Sequence, residues 1–356
     1  MTDKPIYRVP TMGEVREIEP NGIKVVSTFS GCGGSSLGYR LAGCEVVAAS
    51  EFVPAAVDTY LANAKPGTQV FTEDIRELSG ETILERIGMT KGELDILDGS
   101  PPCSAFSMAG KRSKGWGEVS SYSDTRQRVD DLFYEYARLV NDLQPRAFIA
   151  ENVAGLVRGV SKGYFQRIFR TLEECGYTVR AAVLDASWLG VPQSRERLFL
   201  LGIRNDLGIA PTHPKALPYR YLLGDALQGL PDDIEAIDPE TGQDISFSRY
   251  AIGPEWEKVR PGESSDRYFQ LVRTTRLRPC NTITATAGQI GAASPTHPDY
   301  PRKFTLAELR RICSFPDDFI LTGNYEQRAE RLGRSVPPVL MSHVAGAVVK
   351  TLKESQ

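Results

Sequence analysis

The sequence predicts a doubly wound α/β domain that carries a smaller, irregular inserted domain, and three observations predict it. Through residues 22–204 short apolar runs alternate with amphipathic stretches of helical period, the rhythm of βα units built on a parallel sheet. From about Asn205 proline, glycine and acids take over through Pro261 (Pro211, Pro214, Pro218, Pro231, Pro239, Pro254), without strong periodicity. Helical patterning then returns towards the end of the chain. The expected division is a polar lead-in over 1–21, a main domain over 22–204, a small domain over 205–300, and a segment over 301–356 that returns to the main domain.

Each element has its own signal. Lys24 to Thr28 is a short apolar strand, and a helix begins near Ser35 after a glycine-rich turn. Glu45 to Ser50 is the second strand, and Pro54 opens the next helix, where a missing backbone donor costs nothing. Leu94, Ile96 and Leu97 read as a buried strand that Pro101-Pro102 bring to a stop. A helix near Asp130 to Leu143, a strand over Ala147 to Ala150, a helix near Phe165 to Cys175, and strands over Thr178 to Leu184 and Leu198 to Ile203 continue the alternation. Phe304 to Phe315 is an amphipathic helix whose Thr305 and Glu308 have capping-box spacing. The last helix opens at Pro337-Pro338. There is no internal repeat.

Bulk properties point to a soluble intracellular enzyme. A chain of 356 residues with 41% apolar content can build one large core and a smaller one. Met1-Thr2-Asp3-Lys4-Pro5 opens without an apolar signal stretch, and no run approaches the roughly 20 apolar residues of a bilayer span. The six cysteines show neither a Cys-x-x-Cys pair nor a histidine ladder, so no disulfide framework and no metal site is expected. With a formal charge of −3, any nucleic-acid footprint must be local.

The chemistry gathers in four segments. Cys103 follows two prolines in Asp98-Gly99-Ser100-Pro101-Pro102-Cys103, so a thiol is aimed out of a rigid turn at a strand end. A glycine loop, Phe29-Ser30-Gly31-Cys32-Gly33-Gly34, stands between the first strand and its helix, where an α/β sheet takes a cofactor. Glu151-Asn152-Val153 ends a strand with an acid, and Gln193-Ser194-Arg195-Glu196-Arg197 pairs two arginines. Singly, each has a plain structural use as a packing thiol, a tight turn, a helix cap or a surface ion pair. Together and in this order they resemble the DNA cytosine carbon-5 methyltransferase family, with Phe315-Pro316-Asp317 and Gly333-Arg334-Ser335-Val336-Pro337-Pro338 resembling its last motifs. The resemblance spans most of residues 24–350. A dehydrogenase is disfavoured because the loop is Gly-x-Gly-Gly rather than Gly-x-Gly-x-x-Gly.

The resemblance implies a Rossmann-like S-adenosyl-L-methionine-dependent sheet, with 205–300 as the target-recognition domain. It assigns cofactor contacts to Phe29, Ser30, Gly31, Gly33, Gly34, Pro101, Ser335 and Val336. Glu51 is assigned to the ribose hydroxyls, and Asp74 with Ile75 to the adenine. It assigns catalysis to Cys103, Glu151, Arg195 and Arg197. Carbon 5 of cytosine is too poor a nucleophile to attack a sulfonium methyl until a nucleophile adds at carbon 6. A thiol of ordinary pKa about 8.5 is only a few per cent thiolate at neutral pH, so that addition needs a coupled proton relay or a positive surrounding. Glu151 is expected to engage ring nitrogen 3 and the exocyclic amine, and Arg197 to hold oxygen 2. The family usually carries aspartate at the position of Ser27.

Double-stranded DNA is the expected partner, and its target base must be turned out of the stack. Residues 104–128, with Ser104, Lys111, Arg112 and Arg126, read as a mobile loop that meets phosphates as it closes. Arg267, Arg273, Arg276 and Arg278, running into Asn281-Thr282 without an acid before Asp299, read as a DNA-facing segment. Arg334 stands where the family typically has asparagine. A guanidinium about 4 Å from a sulfonium would cost on the order of 4 kcal/mol at a dielectric of about 20, so a counter-charge is required. Either solvent, a protein acid or a phosphate supplies it, or the donor is carboxy-S-adenosyl-L-methionine, whose carboxylate Arg334 would contact, giving 5-carboxymethylcytosine. The remaining readings are a tRNA cytosine-5 methyltransferase and a non-catalytic DNA-binding protein. The first lacks support in a Cys-Phe-Thr signature, and the second is expected to have lost Cys103 or Glu151. A cytoplasmic monomer of bacterial or phage origin, with a separate restriction endonuclease beside it, completes the expectation.

Overall fold

The computed structural model describes residues 4–102, 120–122, 125–127, 132–158, 162–231 and 236–354. In chain order the elements are α1 (Met12–Arg16), β1 (Lys24–Thr28), α2 (Gly34–Leu41), β2 (Glu45–Ser50), α3 (Pro54–Asn63), β3 (Gln69–Phe71), α4 (Gly80–Ile87) and β4 (Ile96–Gly99). Then come β5 (Ser120–Tyr122), β6 (Thr125–Gln127), α5 (Leu132–Leu143), β7 (Ala147–Val153), α6 (Lys162–Glu174), β8 (Tyr177–Asp185), β9 (Gln193–Ser194) and β10 (Glu196–Arg204). The rest are α7 (Leu223–Leu227), α8 (Gly253–Trp256), β11 (Glu263–Ser264), β12 (Val272–Arg273), β13 (Cys280–Asn281), β14 (Pro295–Thr296), α9 (Leu306–Ile312), α10 (Tyr325–Arg334) and α11 (Pro338–Glu354). None of the helices among the described residues is long and apolar enough to cross a membrane.

The chain forms two compact units. The first gathers residues 17–184, 196–215 and 341–356 around a seven-stranded sheet of order β3-β2-β1-β4-β7-β10-β8. Its central strands are near-continuous apolar runs because both faces are covered, as in sheets wrapped by crossover helices. Strand order reverses between β1 and β4, which pair in parallel, and β4 pairs in parallel with β7. The carboxyl ends of β1 and β4 therefore form the switch point of a doubly wound sheet, the place where such sheets open a crevice.

One strand departs from the parallel expectation: β10 runs antiparallel to β7. The stretch 186–195 between β8 and β10 carries a 3-10 turn at Ala186–Trp188 and the two-residue β9, but no helix long enough for a crossover. A parallel return needs a crossover of a dozen or more residues, usually a helix, and this link has none. The strand expected to finish at Leu97 also runs two residues further, through Asp98 and Gly99. Both have partners on either side, Ser27 and Thr28 on β1, Ile149 and Ala150 on β7, so neighbouring strands override their weak strand preference.

The second unit comprises residues 1–16, 185–195 and 216–340. Its sheets are short: β11-β12-β14, and the parallel pair β9 and β13. A small core of Phe247, Ile252, Trp256 and Leu271 sits beside a buried polar cluster. Thr305 caps α9, accepting from Glu308 N at 3.2 Å while Glu308 Oε2 accepts from Thr305 N at 2.7 Å, the expected capping box. The same carboxylate takes a bidentate pair from the fully buried Arg302, at 2.8 and 2.9 Å.

The sheet has one tight step. A Cβ on Gly99 would stand 2.5 Å from Tyr136 Cδ2 and 2.8 Å from Thr28 Oγ1. Tyr136 cannot swing away, because its hydroxyl lies 3.0 Å from the carbonyl oxygens of both Leu97 and Ile149 and its ring is fully buried. Gly99→Ala is therefore expected to destabilise the protein by about 1–3 kcal/mol through overpacking. Urea unfolding reads this as a lower midpoint, and an unchanged midpoint would show that β4 has slack at this step.

Candidate active site

The sheet unit carries the glycine loop, Glu51, Asp74, Ile75, Glu151 and Arg197. After β1 the chain turns through Phe29 (φ 53°), Gly31 (φ 55°) and Gly33 (φ 97°) before α2 begins at Gly34. Gly33 is constrained from below, since a Cβ there would lie 3.2 Å from the Tyr60 ring. Nothing stands within 4 Å of where a Gly31 Cβ would be, so the loop presents bare backbone to open space on that side. Ser30 Oγ donates to Ser27 O at 2.8 Å and Ser30 N to Ser50 O at 3.0 Å, tying the loop to the ends of β1 and β2. Just past β2, Glu51 accepts from Gly31 N and from Val53 N, each at 2.8 Å, one on each carboxylate oxygen. A carboxylate oxygen can accept more than one hydrogen bond, which is what an acid facing a diol requires.

Past β3, Asp74 is held by Arg76, whose Nη1 lies 3.1 and 2.9 Å from its two oxygens. Ile75 is buried in the main core, and its carbonyl accepts from Arg138. Bare glycine backbone, an acid past β2 and a buried apolar residue past β3 all lie at the carboxyl edge of parallel strands. This donor and acceptor set fits a nucleoside-bearing cofactor such as S-adenosyl-L-methionine.

The turn after β4 is fastened to β7. Gly99 pairs with Ala150, and Asn152 Nδ2 donates to Pro101 O at 3.1 Å. Glu151, next to that asparagine, pairs with Arg197 Nε at 3.0 Å across β7 and β10. Both side chains are largely buried, at 11% and 15% exposure. Burial pulls the Arg197 guanidinium below its ordinary value, and the Glu151 carboxylate acts against that pull. Cys103, Ser104, Lys111 and Arg112 lie outside the described residues. Arg126 pairs through its backbone with Ser121 in the β5–β6 hairpin.

Sequence reasoning passed over Asp98. Its carboxyl is fully buried, taking Ser27 Oγ at 2.8 Å and Tyr39 OH at 3.2 Å. Burial drives it up to about 7; the Ser27 and Tyr39 hydroxyls oppose that rise, and the charge of Glu151 adds to it. The sequence shows only an acid at the end of an apolar run, and the serine that meets it comes from its register partner on β1.

The two arginines of the paired segment part company. Arg197 belongs to the sheet unit, whereas Arg195 belongs to the second unit and is buried there. Arg195 Nη1 donates to Ile283 O at 2.9 Å and Gly333 O at 3.0 Å, so it holds two chain segments together. Gln193 organises the same turn, donating to Ile312 O at 3.3 Å and accepting from Ile283 N at 3.1 Å. Gly333 is packed so closely that a Cβ would lie 2.6 Å from the Thr284 carbonyl carbon. Ser335 Oγ donates to Arg331 O at 2.6 Å, and Val336 is buried. Arg334 Nε reaches Glu330 Oε1 at 2.6 Å, one turn back along α10.

Of the expected DNA contacts, Thr282 Oγ1 donates to Ser194 O at 2.7 Å and Arg276 pairs with Asp299 at 2.9 Å. Arg273 is turned inward. Its guanidinium lies 3.9 Å from the centroid of the Trp256 ring, and its Nε donates to Pro298 O at 2.9 Å.

A doubly wound sheet with a bare glycine loop at its switch point and a buried acid–arginine pair two strands away defines an α/β group-transfer enzyme. The comparisons give the family. Residues 23–350 match the model for C-5 cytosine-specific DNA methylases, and the chain belongs to that family. It is 32% identical to the type II methyltransferase M1.HphI of Haemophilus parahaemolyticus, over 91% of this chain and 86% of that one. With M.NgoFVII of Neisseria gonorrhoeae it shares 31% identity over 94% and 88%. Among solved structures, a candidate DNA modification methyltransferase from an E. coli prophage superposes with a TM-score of 0.73 at 22% identity, covering 93% of this chain and all of that one. A mutant of Spodoptera frugiperda DNMT2 gives 0.65 at 19%, covering 92% and all of it. The chain is a DNA cytosine-5 methyltransferase of the type II modification class.

The buried acid gives a pH signature. A carboxyl raised by the fold binds a proton between the ordinary carboxylate range and about 7 that the unfolded chain has released. Stability therefore falls as pH rises through that window and levels off above it. Asparagine does not titrate, so the stability of Asp98→Asn relative to wild type should grow by on the order of 1 kcal/mol per pH unit between about pH 4 and 7. Urea unfolding of both proteins at pH 5 and pH 8 measures it. A difference that stays constant would mean Asp98 is ionised throughout.

Proposed function

We propose that the chain transfers a methyl group from S-adenosyl-L-methionine to carbon 5 of a cytosine turned out of duplex DNA, through a transient bond between the Cys103 sulfur and carbon 6. The observation that carries this reading is the fastening of the β4 turn to β7. Asn152 holds the carbonyl of Pro101, two residues before Cys103, and the adjacent Glu151 is paired with Arg197. The turn that runs on toward Cys103, and an acid with its cation, thus leave neighbouring strands side by side, which supports this reading.

In the proposed reaction the Cys103 thiolate adds to carbon 6, and the electron pair of the 5,6 double bond moves to carbon 5. Glu151, protonated when the base is bound, donates to ring nitrogen 3 and accepts from the exocyclic amine, drawing electrons from carbon 6 as sulfur adds. Arg197 holds oxygen 2 and keeps the Glu151 carboxyl oriented. When bound, the cofactor supplies an electrophilic methyl to carbon 5. Loss of the carbon 5 proton to a base, with water able to serve, then re-forms the double bond as sulfur departs. In the sheet unit, the loop from Phe29 to Gly34 would receive the cofactor, with Glu51 at its ribose and Asp74 and Ile75 at its adenine. Arg195 acts as a positioning residue that fixes the segments at Ile283 and Gly333.

Arg334 faces a protein acid, Glu330, which Arg331 shares, and this supports the reading in which the donor is S-adenosyl-L-methionine itself. The protein acts as a monomer in the cytoplasm of a bacterium or phage host, with a restriction endonuclease of the same site beside it.

Two experiments test this. DNA carrying 5-fluorocytosine at the modified site should trap the enzyme covalently, because fluorine cannot leave carbon 5 as a proton, and Cys103→Ala should abolish the trapped band. Equal trapping by both proteins removes Cys103 from the mechanism. Glu151→Gln should keep DNA affinity while slowing turnover by at least about 100-fold, as expected for a lost general acid. For the donor, wild type given S-adenosyl-L-methionine and its carboxy derivative in competition should yield 5-methylcytosine, and so should Arg334→Asn. Carboxymethylcytosine from wild type that disappears in Arg334→Asn would reverse the donor assignment.

A further inference from the structure

Phe269 is 85% exposed in the second unit, whereas most aromatic rings among the described residues are buried. A lone exposed apolar side chain is unremarkable on a protein surface. What sets this one apart is how firmly it is presented. It rides on a closed turn from Ser265 to Leu271 whose two ends are buried, at 4% and 0% exposure. Ser265 N donates to Leu271 O at 2.9 Å, and Leu271 N donates to Tyr268 O at 2.7 Å. Ser265 Oγ accepts from Arg267 N at 3.1 Å and Tyr268 N at 3.0 Å while donating to Glu255 at 2.9 Å. Neighbouring Arg267 lies over the Tyr268 ring at 5.2 Å. The turn is thus pinned by backbone and side-chain bonds beneath an outward ring.

The surrounding charge indicates what that ring meets. Although the whole chain carries −3, the stretch 267–298 has Arg267, Arg273, Arg276 and Arg278 and no acid, bounded by Asp266 and Asp299. Arg273 is spent on Trp256 and Arg276 on Asp299, but Arg267 and Arg278 are exposed on either side of β12. A polyanion satisfies exposed guanidinium groups, and an aromatic wedge held out beside Arg267 suits a stack of flat bases. The enzyme's own substrate is both. We propose that Phe269 is a DNA wedge, which inserts between two base pairs beside the target and unstacks that step, with Arg267 and Arg278 on the flanking phosphates. A second copy of the chain is disfavoured, since a protein partner would have to neutralise the same cations.

The test uses the full chain and the site it modifies, mapped by bisulfite sequencing of DNA from expressing cells. In duplexes with 2-aminopurine placed in turn at each position around the cytosine, wild type should brighten one flanking step, which reports unstacking away from the target base itself. Phe269→Ala should lose that signal and bind DNA about tenfold more weakly, the scale of one base–aromatic stack. Phe269→Trp should keep it, and both variants should melt as wild type does, the side chain being outside the core. The 5-fluorocytosine trap should still form in Phe269→Ala, more slowly, so failure of the wedge is separable from failure of the covalent mechanism. No flanking step brightening in wild type, or an equal signal in Phe269→Ala, would overturn the proposal. So would a change in sedimentation on Phe269→Ala with DNA behaviour unchanged, which would make the ring a protein contact.

Discussion

The arrangement rests on the three-strand step where Thr28, Gly99 and Ala150 stand in register. Three chain segments leave the sheet there at one level: the glycine loop after β1, the proline turn after β4, and the Glu-Asn end of β7. Gly99 makes this possible because the Tyr136 ring fills the place its side chain would need. The ring in turn reads the carbonyls of Leu97 and Ile149, so its hydroxyl spans β4 and β7 as a gauge of their spacing. The glycine loop, the proline turn and the Glu151 acid are brought to one edge by packing alone.

Much of this was legible in the sequence, for identifiable reasons. Strands buried on both faces announce themselves as unbroken apolar runs, so β1 and β2 have the bounds that Lys24–Thr28 and Glu45–Ser50 suggest. The capping box at Thr305 and the start of α11 at Pro338 depend only on local chemistry, which one stretch of sequence contains in full. What escaped depends on partners far along the chain. Asp98 reads as the polar end of a strand until β1 places Ser27 beside it and α2 brings Tyr39 over it. The direction of β10 follows from the absence of a crossover helix, a property of the link rather than of the strand.

The paired arginines make the same point about side chains. Arg195 and Arg197 stand two residues apart, the spacing that in a regular strand would send both to one face. Arg195 lies just before β10 begins, where the chain passes out of β9, and that break in the pleat frees it to clasp Ile283 and Gly333 while Arg197 turns to Glu151. Arg273 and Arg276 likewise carry the charge that a phosphate attracts, yet Trp256 and Asp299 engage them first. Composition locates a basic segment, and only tertiary neighbours decide which of its cations face outward.

The way the chain is shared between the two units has a consequence for inheritance. The second unit draws its residues from 1–16, 185–195 and 216–340, so its largest contiguous piece leaves out the stretch that contains Arg195 and β9. A crossover that imported 216–340 from a relative would bring new versions of Ile283 and Gly333 against an old Arg195, and a new β13 against an old β9. Those bonds go to main-chain carbonyls and a main-chain pair, so an imported piece must match the backbone path, and keep glycine at 333, rather than match side chains. Substitution in an exposed turn, such as the one bearing Phe269, meets no such condition.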